Sequence, residues 1–171
     1  MYYVRKLSSN SNLSKIKNAL SIEELDADIL KQELGTTGNT LSFWKCENLE
    51  ELSDTFKAIL LSTTAVKSSQ FFLLSDDIVA KYGLEMDDSE KGSTGYSGYE
   101  YLHSNMIKLN YSKIGTILMM LHEAFQKTEN TPKIDKNTAK EYIKEVFQAG
   151  LLNVENIQDS LKRDIVKFCE I

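Results

Sequence analysis

Hydrophobic positions along this chain follow two rhythms, a short alternation and a three-to-four-residue recurrence, and they meet most clearly in residues 39–61, NTLSFWKCENLEELSDTFKAILL. Residues 40–46 hold Leu41, Phe43 and the only tryptophan, Trp44, in a run of strand-forming residues. Asn48 then stands where a helix N-cap belongs, with Glu51 three positions on as in a capping box. Behind it Leu49, Leu52, Phe56, Ile59 and Leu60 recur on one helical side. The pattern predicts a strand passing almost directly into a helix.

The same reading assigns the rest of the chain. Residues 2–7 alternate like a strand, and residues 8–12 are turn formers. A helix is expected after Ser21, with Ser21 and Glu24 as a capping box and Leu20 closing on Leu25 as a hydrophobic staple. Ile22, Leu25, Ile29, Leu30 and Leu34 form its buried side, and Gly35 is its stop. Residues 70–74, QFFLL, are apolar on both faces and predict a strand covered on both sides. Ser75, Asp76 and Asp77 open a short helix running to Tyr82. Residues 84–98, acidic and then glycine-rich, predict a mobile surface loop and the preferred site of proteolytic nicking. Residues 99–111 lean towards a fourth strand. Ser112 caps a helix with Ile114, Ile117, Leu118, Leu121 and Phe125 facing inward. Beyond Pro132, Ala139, Ile143, Val146 and Phe147 define one helix, and Val154, Ile157, Leu161, Ile165 and Phe168, after a cap at Asn153, define another. The expected fold is α/β: a small, mainly parallel or mixed sheet of three to four strands with helices packed on it, then a C-terminal helical hairpin, with α+β as the alternative. Residues 1–131 are expected to form the core domain and residues 132–171 a hairpin packed on it.

Composition narrows the classes of function. A chain of 171 residues with 42% hydrophobic content suits one core. The apolar runs fall short of the roughly 20 residues of a membrane span. The N-terminal MYYVRKLSSN lacks the apolar stretch of a secretory signal, so a cytoplasmic protein with no membrane association is expected. A net charge of -5 and a pI near 5.1 work against a broad phosphate footprint, which makes a nucleic-acid partner the least expected. Arg5, Lys6, Lys15 and Lys17 form a local basic stretch, expected as a solvated edge strand and loop. Cys46 and Cys169 are far apart and suggest neither a disulfide framework nor a metal knuckle.

Motifs that would carry chemistry are incomplete. In GSTGYSG, residues 92–98, the lysine precedes the first glycine, so the phosphate-cradling arrangement is absent, and a nucleophile elbow would need glycine where Tyr99 stands. Tyr96, Tyr99 and Tyr101 could line a ligand site if this loop were a lid. His122-Glu123 lacks the second histidine of a zinc helix, Gln126 standing in its place. Asp76 and Asp77 favour helix capping over metal binding. Cys46, two residues before a helix cap, has the placement of an activated thiol, with His103 or His122 as a base supplied by the fold. No cofactor and no metal are expected.

These observations favour an accessory or adaptor protein that works through a protein partner or as a homo-oligomer. Ile143, Phe147, Leu161, Ile165 and Phe168 of the tail are the candidate contact residues. The abundance of Lys, Asn, Ser and Ile suits a subunit of a multi-component bacterial system such as immunity or phage defence. The alternative is a small hydrolase or transferase with its site around Cys46, His103 and residues 92–101.

Overall fold

Strand β1 (Tyr2–Lys6) lies between β2 (Leu41–Cys46) and β3 (Ser69–Ser75), antiparallel to both, with Tyr2 opposite Cys46 on one side and Ser75 on the other. The computed structural model describes residues 1–19, 21–25 and 27–169. With β4 (Glu85–Asp87), β5 (His103–Ile107) and β6 (Lys133–Ile134), the strands form one sheet in the order β4-β5-β2-β1-β3-β6. Every neighbouring pair is antiparallel. The six-stranded antiparallel sheet overturns the expected parallel or mixed sheet of three to four strands, and the architecture is α+β in character. The reason lies in β1. Strands β2 and β3 do run the same way, as a strand-helix-strand rhythm implies, but β1 sits between them. Periodicity encodes the direction of a crossover and leaves open which strand fills the gap.

Helices cover both faces. On one, α3 (Leu52–Leu60), α6 (Lys136–Gln148) and α7 (Asp159–Cys169) pack Phe56, Ile59, Ile143, Leu161 and Ile165 against Val4, Trp44, Cys46, Phe71 and Leu73. On the other, α1 (Asn10–Asn18), α2 (Ala27–Glu33), α4 (Asp76–Lys81) and α5 (Tyr111–Phe125) pack Ile16, Ile29, Val79, Ile117 and Leu121 against Tyr3, Leu41, Phe43, Phe72 and Leu74. Strand alternation divides the cores: Phe71 and Leu73 point one way, Phe72 and Leu74 the other. Among the described residues no helix is long and apolar enough to cross a membrane.

Local differences have local causes. β1 is a central strand rather than an edge, and Arg5 is largely enclosed, its Nη1 donating to the Ser42 carbonyl at 2.7 Å and its ring-facing guanidinium 5.9 Å from Phe43. The turn formers after β1 initiate α1, because Ser9 accepts from Ser11 N as an N-cap. Buried Glu33 ties α1 and α2 to the sheet, accepting from Ser8 N at 3.1 Å and from Asn12 Nδ2 at 2.6 Å. The expected single helix from Ser21 is a 3-10 turn (Ile22–Glu24) followed by α2. Leu20 of the expected staple lies outside the described residues, as do the side chains of Ile22 and Leu30. The cap of α5 is Asn110 instead of Ser112. Asn153 caps a 3-10 turn (Val154–Asn156), and α7 begins only at Asp159. After Pro132 the chain first adds β6 beside β3, then enters α6 through the Asp135 cap.

Candidate functional site

The turn from β2 into α3 forms one wall of a cleft of about 120 Å³. Asn48 Oδ1 accepts from Glu50 N at 2.9 Å and Glu51 N at 3.2 Å, while its Nδ2 donates to Glu51 Oε1 at 3.0 Å. Thr55 Oγ1 donates to the Lys45 carbonyl at 2.9 Å, fixing the first turn of α3 to the end of β2. Glu51, Asp54, Thr55 and Cys46 thereby share one side, and Tyr99, Tyr101 and Leu102 line the other.

The second wall follows directly on residues 92–98, which the structure shows as a docked strap and not as the expected mobile loop. Thr94 Oγ1 donates to the Ala58 carbonyl at 2.7 Å, Gly95 N to the Leu61 carbonyl at 3.2 Å, and Ser97 N to the Leu151 carbonyl at 2.9 Å. The segment before it is partly ordered too, as β4 on the sheet edge. Glycine makes the docking possible: a Cβ on Gly92 would stand 2.7 Å from both His103 Cβ and Trp44 Cη2, and one on Gly95 would overlap Ile157 Cγ1. The glycines thus serve close packing, which their composition alone does not distinguish from mobility.

Within the strap, buried Tyr96 stacks on Tyr99 with centroids 3.8 Å apart and planes 11° apart, and Tyr99 in turn lies 6.1 Å from Tyr101 at 26°. Tyr96 donates its hydroxyl to Asp54 Oδ1 at 3.1 Å, and burial raises its pKa. Lys57 also meets Asp54 Oδ1, at 3.4 Å, and reaches Glu145 at 3.0 Å. Tyr101, 57% exposed, forms the outer lip.

The fold therefore brings Cys46, Tyr99 and Tyr101 to one cleft, and neither histidine is among the residues that line it. His103 lies directly opposite Trp44 across β2 and β5, its ring 5.5 Å from the indole and its Nδ1 3.3 Å from the Glu90 carbonyl. His122 is on α5, against the other sheet face, with Nε2 2.8 Å from the Ala19 carbonyl. Burial pushes the Cys46 thiol up, with the Thr55 hydroxyl opposing it only in part, so the neutral thiol is favoured. Asp76 lies 3.8 Å from the N-terminal amine and, with Asp77, occupies the first turn of α4. Among the described residues no three metal-ligating side chains converge. Of the tail residues, Ile143, Leu161 and Ile165 are buried within the chain's own core, Phe168 is half-buried with Lys140 over its ring, and Phe147 is 38% exposed.

Glu51, Asp54 and Thr55 were readable only as helix-start residues. Their spacing, next to one another on the first turn after Cys46, was the available signal for a shared wall. Compared with known proteins, the chain matches no family model, no curated protein and no solved structure.

Proposed function

We propose that this chain is an accessory or adaptor protein that acts by binding another protein, and that the cleft beside Cys46 receives a lysine or arginine side chain of that partner. The carrying observation is the pairing of two tyrosine rings with two carboxylates around about 120 Å³. That space suits the head of one cationic side chain and is smaller than the roughly 300–1,000 Å³ typical of small-molecule sites. Tyrosine faces attract a cation by about 0.5–1 kcal/mol where exposed, and more where water is excluded. Glu51 is exposed at the rim, and Tyr96 and Lys57 both bond Asp54 through Oδ1, which leaves Oδ2 as an acceptor. Exposed Glu47 and Glu50 extend the negative field, which steers a basic partner towards the cleft. A multi-component bacterial system is the setting its composition suits.

The test compares the wild-type chain with a Glu51→Lys, Tyr101→Ala double variant in cross-linking from native lysate, with the fold checked by circular dichroism. The expected result is one stoichiometric partner, cross-linked near the cleft through a Lys- or Arg-bearing segment and lost from the variant. A partner retained equally by both proteins sinks the cleft assignment. Alkylation of Cys46 faster than in the unfolded chain, with a bell-shaped pH profile, would move the reading to the small-enzyme alternative.

A further inference from the structure

Helix α5 is apolar on more of its circumference than the core uses. Ile117, Met120, Leu121 and Phe125 are buried against the sheet, while Tyr111, Ile114 and Met119 are 93%, 37% and 48% exposed. Ile114, expected to face inward, is instead exposed in a row with Tyr111 and Gly115, and buried Leu118 closes the row one turn on, at the spacing of one helical stripe. That row and Leu34 and Lys31 line a groove of about 470 Å³, and an adjoining hollow of about 270 Å³ shares Leu34, Tyr111 and Ile114.

We infer that this face is the two-fold interface of a homodimer, with Tyr111 of each copy seated in the groove of the other. Three features select a second copy as the occupant. First, the face carries both a hole and a projecting ring, the self-complementarity that a two-fold contact needs. Second, Gly115 sits inside α5 with nothing of the described residues within 4 Å of where its Cβ would be. Glycine weakens a helix interior, and no described neighbour in its own chain requires it; an opposing α5 crossing closely at this point does. Third, a chain of net charge -5 repels its copy least where acids are missing, and among the described residues the groove lining contains none, Lys31 being the one charged member there. The face lies on the opposite side of the sheet from the Cys46 cleft, so dimerisation leaves both clefts open. It stands independently of what the cleft binds.

Sedimentation across a concentration series decides the matter. The expected result is a reversible shift towards twice the 19.4 kDa chain mass, abolished by Ile114→Glu with circular dichroism unchanged. Gly115→Ala should weaken the dimer about tenfold or more while raising the melting temperature of the dilute, monomeric chain, a split that a purely structural glycine would not produce. A chain that remains monomeric throughout, a dimer indifferent to both variants, or protection of Tyr111 seen only when a different protein is bound each overturns the inference.

Discussion

The strap of residues 92–98 and the first half of α5 both set glycine among apolar side chains, and they use it in opposite ways. At Gly92 and Gly95 the hydrogen that replaces a side chain is in contact with Trp44, His103 and Ile157, so the space is already filled by the chain itself. At Gly115 the space is open. The strap is consequently fixed by backbone hydrogen bonds to α3 and to the segment before α7, whereas the α5 stripe ends in solvent with Tyr111 almost fully exposed. A glycine shows its purpose only through what stands where its Cβ would be. The closed region encloses and shapes the cleft; the open region is a surface awaiting contact.

The sharpest attack on this contrast is Trp44→Ala. The indole is 8% exposed and supports the strap at Gly92, so its loss should lower stability by about 3–5 kcal/mol. Urea unfolding measures it, and a loss under about 1 kcal/mol would show that the strap does not depend on what lies beneath it.

A smaller effect is expected from Gly95→Ala. The added methyl overlaps Ile157, and overpacking of this kind costs about 1–3 kcal/mol. Its second signature is proteolytic: Glu-specific protease should leave the bond after Glu100 intact in the native chain and cut there in the variant as the strap lifts. Cleavage at equal rates in both would mean that the strap is no more closed than an ordinary loop.

The mildest probe is pH. Burial raises the Cys46 thiol above its ordinary 9.0 and, as the leading cause, the Tyr3 and Tyr96 hydroxyls above 10.0. Above these ordinary values the unfolded chain releases protons that the folded chain retains. It then binds fewer protons than the native state, and stability falls as pH rises. The contribution is complete at neutral pH and is lost progressively from about pH 9 upward. Urea midpoints should therefore decline through that range, and Tyr96→Phe should flatten the upper part of the decline. Midpoints that hold steady would place these groups in more water than their burial permits.

What could be read directly from the sequence was whatever depends on near neighbours. The strand at 70–74 buried on both faces and the stripe of α6 through Ala139, Ile143 and Val146 rest on periodicity and match the structure; the Asn48 cap is present too, but on a 3-10 turn (Leu49–Glu51) that precedes α3 and leaves Leu49 exposed. The short α1 escaped because its polar sequence shows little stripe, with Ile16 fully buried and Leu13 half-buried. The acidic, glycine-rich composition of residues 84–98 suggested mobility because the partners that dock them, Ala58, Leu61, Leu151 and Ile157, are distant in sequence. The cleft was legible in part: the alternative reading groups Cys46 with His103 and the tyrosines of residues 92–101, while Glu51 reads as a cap and Asp54 only as a helix-start residue. Only tertiary structure decided that Glu51 and Asp54 join Cys46, Tyr99 and Tyr101, that β1 enters between β2 and β3, and that Ile114 faces outward. Each is a choice among long-range contacts of similar local cost, settled by how the whole set of apolar faces can be buried at once.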